Sequence, residues 1–204
     1  MSAPGHGWSV PPDTQQADYV IAAVLADPLA RTVLERAHGL ALPDWALVAG
    51  AVYKAVWNAM TGRPGGYGIN DYDLAYFDAR DLSAEAELAV VGPAEAAFAD
   101  LSVPVEVCNQ ARVHLWFNAQ YGTDRAPLRD TMDALRHFAS PTHAIAIRLD
   151  QEARPEVLAP FGLEPVFSRV VRPVPGLAGP DGWNRKIAEQ ALLWPELEFL
   201  PVRL

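Results

Sequence analysis

Residues 45–49 form a short apolar run (Trp45, Ala46, Leu47, Val48, Ala49) that stops at Gly50, and helical periodicity resumes at once and continues to Met60. One continuous helix would also satisfy the pattern, but a short apolar run broken by glycine favours strand, turn and helix. Such a junction favours a buried strand followed at once by a helix. The rest of the sequence agrees. Residues 72–77, 103–107, 112–117 and 144–149 read as strands. Residues 17–39, 51–60, 83–101, 128–138 and 183–193 read as helical. Breaks are expected at Asp27–Pro28 and at Gly92–Pro93, because proline cannot sit inside a helix without losing a hydrogen bond, and Gly39 is a plausible helix end. Interleaved helices and strands place the chain in the α/β class, mixed with α+β.

Residues 1–16 hold Pro4, Gly5, Gly7, Pro11 and Pro12 and read as a flexible tail. The core is expected over 17–154. Residues 155–204 read as a C-terminal extension, with an apolar helical patch over 158–167, a Pro/Gly loop over 172–182 and a last helix. Half of the 204 residues are hydrophobic and 20% are charged, enough for one sizeable core. The lone Cys108 cannot form an internal disulfide, no apolar stretch reaches membrane-spanning length, and the N-terminus lacks the pattern of a signal peptide. A cytoplasmic, non-membrane protein is expected.

The chemistry concentrates in Asn70, Asp71, Tyr72, Asp73 and Leu74. On a strand, residues two apart share a face, so Asp71 and Asp73 point the same way. Adjacent carboxylates raise each other's pKa unless a cation sits between them, and their hard oxygens suit Mg²⁺ or Mn²⁺. A third acid, Glu106, lies between Val105 and Val107. If the valines face the core, Glu106 faces the opposite side and can join the pair. Three convergent carboxylates can hold two ions roughly 3.5–4 Å apart, the arrangement used for in-line phosphoryl transfer. The turn at Gly50 and Ala51 presents backbone N–H groups at a helix start, where phosphate oxygens bind. Lys54, Arg63, Arg112 and Arg148 are the candidate anion contacts. Each element also has a plain structural reading: solvated acids, an ordinary turn, surface ion pairs.

Taken in order, strand, glycine turn, helix, Asp-x-Asp strand and later acid strand resemble the DNA polymerase beta-like nucleotidyltransferase superfamily. Further stretches look like a bacterial nucleotidyltransferase family within it: 56–58, 70–74, 109–116, 141–148, 161–163 and 171–173. The likeness covers most of residues 44–200. It implies a polymerase beta-like core with a mixed sheet flanked by helices. It implies that Asp71 and Asp73 bind the metals carrying a nucleoside triphosphate, that Glu106 completes the site and assists deprotonation of the acceptor, and that Gly50 lies against the triphosphate. Ala49 and Ala51 depart from the superfamily pattern, standing where glycine or serine is usual. A glycine-rich loop over 62–68 lengthens the gap to Asp71 and reads as a lid or a plain connector.

The expected activity is transfer of a nucleoside monophosphate to a hydroxyl acceptor. The alternatives are a non-catalytic nucleotide-binding or partner-binding protein with a degenerate site, and a metal-dependent phosphoesterase. A formal charge of −9 argues against a long nucleic acid as acceptor and favours a small molecule or a protein hydroxyl. A tRNA end stays open if Arg112, Arg125, Arg129 and Arg136 gather on one face. The five histidines and Cys108 show no zinc-ligand spacing, and Cys108 reads as a small buried residue. Trp45, Trp57 and Trp116 are assigned to the core, whereas Tyr67 and Tyr72, beside the acids, are candidates to stack on a base.

Overall fold

A computed structural model describes residues 8–121 and 124–203. Two helices open the fold, α1 (Asp13–Leu25) and α2 (Pro28–Leu40), with the break at Asp27 and Pro28 that proline dictates. Asp27 caps α2 by accepting from the Leu29 N–H at 3.0 Å. The first helix starts at Asp13 rather than Ala17, and Gln16 is buried. Trp8 donates its indole N–H to the Phe167 carbonyl, so the described part of the expected tail is packed down; residues 1–7 lie outside the described residues. Gly39 does not end α2. Ala41 takes the left-handed conformation instead, with φ of 49°.

The strand, turn and helix at the centre are β1 (Ala46–Val48) and α3 (Gly50–Thr61). They are followed by β2 (Tyr72–Tyr76), α4 (Ala84–Ala96) and β3 (Val105–Asn109). Ser83 caps α4, which runs through Pro93 rather than stopping there. Ala89, whose carbonyl loses its helical donor, is exposed, so water can satisfy it. The expected strand over 112–117 is a 3-10 turn (Gln110–Arg112) leading into α5 (Val113–Tyr121). Asn109 ends the strand: its side-chain oxygen accepts from the Ala111 and Asp78 N–H groups, and its amide donates to the Asp78 carbonyl.

The next helix, α6 (Thr131–Arg136), is shorter than the apolar pattern suggests because Asp130 caps it by accepting from the Asp133 N–H. Then come β4 (Ala146–Leu149) and β5 (Pro155–Leu158), so part of the expected C-terminal helical patch is strand. Only α7 (Glu164–Phe167) remains helical there, before β6 (Val170–Val171), α8 (Pro180–Leu193) and β7 (Glu198–Phe199).

Five strands form one mixed sheet in the order β3, β2, β1, β4, β5, with β2 and β3 parallel and the other neighbours antiparallel. Strands β6 and β7 pair separately. The C-terminal segment therefore contributes an edge strand to the main sheet. Alternation assigns the two faces. Leu47, Tyr72, Leu74, Tyr76, Val105, Val107, Ile145 and Ile147 pack into the large core with the buried stripes of α1, α2, α3 and α8. On the other face Ala46, Val48, Ala75, Ala146 and Leu158 make a smaller cluster with Leu135 of α6. That second face carries the acids.

Candidate active site

Asp73 of β2 pairs in register with Glu106 of parallel β3, and Val48 of β1 is the other neighbour of Asp73. Asp71 immediately precedes β2, two residues before Asp73. Val105 and Val107 are buried against the core, which turns Glu106 outward on the opposite face. Glu106 is exposed and sits on an edge strand; Asp71 and Asp73 are half-buried. Burial, reinforced by Asp71 and then Glu106, raises the Asp73 carboxyl to about 6, and Lys186 and Lys54 partly offset this.

The turn between β1 and α3 is pinned by Ala49. Its N–H donates to the Ile145 carbonyl of the residue preceding β4, and its carbonyl accepts from the Val52 and Tyr53 N–H groups. Ala49 holds φ of 51° and ψ of −111°, a conformation that suits glycine far better than alanine. No side chain caps α3. The N–H groups of Gly50 and Ala51 therefore start the helix without intrahelical acceptors. Lys54, one turn later, folds back over Gly50 and donates from Nζ to the Gly68 carbonyl at 2.9 Å.

The sequence contains two lysines, Lys54 and Lys186, and the fold brings both to the acids. Burial lowers the Lys54 pKa and the Lys186 ammonium lowers it further, against the pull of Asp71 and Asp73. Lys186, from α8, is open to solvent along much of its length. The protein mass around its ammonium still lowers its pKa, opposed by Asp73 and Asp71. Lys186 was not legible as a site residue, since an isolated basic residue more than a hundred positions from the acids carries no local signal. The scarcity of lysine in the whole chain is the one clue.

The other expected anion contacts are placed elsewhere. Arg112 lies in the 3-10 turn, ion-paired with Glu87 and donating to the Leu82 carbonyl. Arg148 shares the acid face but is bonded at 2.9 Å to Asp44 and at 2.8 Å to Glu156, at the far end of β4. Arg63 pairs with Glu196 and lies over the Tyr67 ring. Tyr72 is buried and donates to Asp27, and Tyr67 meets Trp194 edge-on, so neither ring is presented beside the acids. The loop over 62–68 is a strap rather than a lid. Asn58 donates to the Tyr67 carbonyl and accepts from the Trp194 indole, and a side chain at Gly68 would collide with that indole.

A pocket of about 290 Å³ opens over the acids, lined by Asp73, Glu106, Cys108, Val113, Trp116 and Phe117 among others. Trp116 is 48% exposed there, contrary to its core assignment, because the segment is helix rather than strand. Cys108 is half-buried on the same face, its thiol pKa raised by burial and by Asp73 and Glu106. A larger cleft of about 840 Å³ shares Phe117 and Arg125 with this pocket and extends to Lys186, Trp183 and His143.

Among the described residues no three or more His, Cys, Asp or Glu side chains are gathered closely enough to hold a metal ion by themselves. The donor chemistry nevertheless fits a hard cation. Asp71 and Asp73 are paired oxygen donors, and Asp73 is held in a setting that penalises its anion. Magnesium characteristically takes one or two carboxylates and completes its shell with water and substrate phosphate. No helix among the described residues is long and apolar enough to cross a membrane.

Comparison with known proteins agrees with this architecture. An NMR structure that reveals a CCA-adding enzyme head domain superposes with a TM-score of 0.71 at 24% identity, over 90% of this chain and 95% of that one. That likeness establishes the polymerase beta-like fold. No curated protein matches the chain. The sequence model of a family described as Nucleotidyltransferase matches residues 35–199, from α2 through β7 and across every strand of the acid-bearing sheet; the chain belongs to that nucleotidyltransferase family.

Proposed function

We propose that the protein transfers a nucleoside monophosphate from a nucleoside triphosphate to a hydroxyl acceptor, releasing pyrophosphate. The observation that carries this is the gathering around the Asp73 carboxylate of Asp71, Glu106 and both lysines, beside the uncapped start of α3. The N–H groups of Gly50 and Ala51 receive phosphate oxygens, and Lys54 and Lys186 add compact positive charge beside them. Asp71 and Asp73 hold Mg²⁺ or Mn²⁺. Once held there, such an ion would supply charge neutralisation for the triphosphate and a lower barrier to hydroxyl attack. Glu106, exposed beside Asp73, takes the proton of the acceptor hydroxyl as its oxygen bonds to the α-phosphorus. The bond from that phosphorus to the β-phosphate bridge then breaks, and pyrophosphate departs.

The acceptor is a small molecule or a protein hydroxyl. The chain carries −9, and at least seven of its fourteen arginines (36, 63, 80, 112, 129, 148 and 154) are committed to ion pairs. Arg112 and Arg129, two of the four expected to greet a tRNA end, are among them, and Arg125 lies over the Phe117 ring at 3.9 Å. A polynucleotide needs a broad basic surface, and the net charge of −9 weighs against one.

Calorimetric titration of the four nucleoside triphosphates, with and without Mg²⁺, tests the reading when run beside a pyrophosphate-release assay on candidate acceptors. Wild type is expected to bind in a Mg²⁺-dependent manner, and Asp71→Ala/Asp73→Ala to lose binding by at least about 100-fold. Binding with no pyrophosphate from any acceptor would leave a nucleotide-binding module. Monophosphate formed with water alone would make the protein a phosphoesterase. Absence of triphosphate binding by folded wild type would end the transferase reading.

A further inference from the structure

No side chain over 113–120 of helix α5 is fully buried, although the stretch holds Val113, Leu115, Trp116 and Phe117. Leu115 is exposed, and Trp116 is the most exposed of the six tryptophans. A single apolar residue on an open surface needs no explanation. Trp116 is placed differently: it lines the pocket that holds Asp73 and Glu106, its ring tilted against Phe117 at 5.7 Å. Ala49, Ala75 and Cys108 are small neighbours that leave this pocket its depth. Its volume of about 290 Å³ exceeds the roughly 150 Å³ in which an apolar cavity holds a benzene ring, and it lies at the lower end of small-ligand sites. One ring with its substituents fits there, and anything longer must run out into solvent.

The course of the reaction limits the occupant. Glu106, exposed on an edge strand, forms no ion pair among the described residues, so its carboxylate is open to a ligand. Its charge acts on Asp73 and Cys108, which line the same pocket. Lys54 and Lys186 act on Asp73 as well, but neither lines this pocket; Lys186 lines the larger cleft. Asp73 is therefore flanked by Glu106 inside the pocket and by the cations outside it. In-line displacement puts the attacking and leaving oxygens on opposite sides of the phosphorus. Pyrophosphate, heavily charged, departs on the side of the cations, and the acceptor arrives on the side of Glu106 and Trp116. The proton to be removed narrows the acceptor further. A phenolic O–H ionises at about 10, against about 15.7 for bulk water, so a lone carboxylate base is far better matched to a phenol than to an aliphatic hydroxyl.

We infer that the acceptor is a phenolic alcohol whose ring stacks on Trp116 and whose hydroxyl is directed at Glu106. The phenolic proton passes to Glu106, the phenolic oxygen bonds to the α-phosphorus as the bond to the β-phosphate bridge breaks, and the products are an aryl ester of the nucleoside monophosphate and pyrophosphate. Trp116 is a substrate-binding residue that selects the acceptor and takes no part in holding the triphosphate. The inference rests on the nucleotidyl-transfer reading, and its test separates the two.

The probes are N-acetyl-tyrosinamide, N-acetyl-serinamide and the α,β-methylene analogues of ATP, GTP, CTP and UTP, which bind without transfer. Each is titrated with Mg²⁺ into full-length wild type, Trp116→Ala and Trp116→Phe. With the tightest analogue in place, wild type should bind the tyrosine derivative at least about tenfold more tightly than the serine derivative. Trp116→Ala should lose that margin and Trp116→Phe, which keeps a stacking ring, should retain most of it. Both variants should hold the triphosphate analogues within about twofold of wild type. Because Trp116 is exposed, the thermal midpoint should not move, and should the alanine variant fail to fold, Trp116→Gln serves in its place. A wild type without preference for the tyrosine derivative, or an alanine variant that keeps the preference, overturns the inference and leaves the transfer reading standing. Weakened triphosphate binding in Trp116→Ala also overturns it, since the ring on Trp116 would then be the nucleobase. Failure of every triphosphate analogue to bind wild type overturns both.

Discussion

The two faces of the five-stranded sheet are made from alternating residues of the same strands, yet they are built for opposite ends. Toward the helices, β1, β2 and β3 present Leu47, Leu74, Val105 and Val107, bulky and buried. Toward the acid pocket the same strands present Ala46, Val48, Ala75, Asp73 and Glu106, small or charged. One face gathers apolar area, the main source of folding free energy. The other keeps its floor low and holds like charges together, which works against stability. The site is tolerable because it occupies one side of a sheet whose other side is fully packed.

Four substitutions break or sharpen this contrast. Glu106→Gln retains shape and removes the proposed proton acceptor. It should lower kcat of the transfer reaction by roughly 10²–10⁴-fold, as expected for loss of a general base, with little change in thermal midpoint because the side chain is exposed. Leu74→Ala, one residue along β2 from Asp73 but on the packed face, should do the reverse. Chemical denaturation is expected to show a loss of about 2–5 kcal/mol, while triphosphate affinity of the folded fraction holds.

Asp73→Asn tests the stored repulsion. The folded state raises the Asp73 carboxyl to about 6 from 3.8, so the folded chain binds that proton more tightly than the unfolded chain. The cost of the ionised form is present in full above pH 6, shrinks as pH falls through 6 and disappears below about 4. Without divalent cation, the asparagine variant should be more stable than wild type by about 2 kcal/mol at pH 8, allowing for partial solvent access, and no more stable near pH 4. A stability difference independent of pH would place the strain elsewhere. The smallest effect belongs to Ala49→Gly at the junction of the faces. Relief of the positive φ, offset by the greater chain freedom of glycine, should yield a gain of about 1 kcal/mol in the same denaturation assay.

The β1–Gly50–α3 junction, the Asp71/Asp73 spacing and the valines flanking Glu106 were all legible because each depends on a local period of two or a single glycine. The segment 112–117 matches a strand by its apolar alternation, but Asn109, anchored to the Asp78 backbone that the fold brings near, caps the turn by accepting from the Ala111 N–H, and the chain continues as helix. Trp116 changed from core to exposed with it. Arg112 and Arg148 carried the right charge but found acids closer than the site, and such pairings follow from three-dimensional neighbours that no spacing rule reveals.

The sequence by itself therefore determined the class of fold, the nearness of the two aspartates and the outward turn of Glu106, since backbone geometry converts spacing directly into direction. Tertiary structure alone decided which cations serve those acids. Lys54 lies near the acids in sequence, but Lys186 reaches them because α8 is tied to α3, where Gln190 donates to the Tyr53 hydroxyl, and His143 enters the same cleft from the segment before β4. Side-chain direction is a local property of the chain. Convergence of residues far apart in sequence is a property of how helices settle on a sheet, and it appears only when that packing is complete.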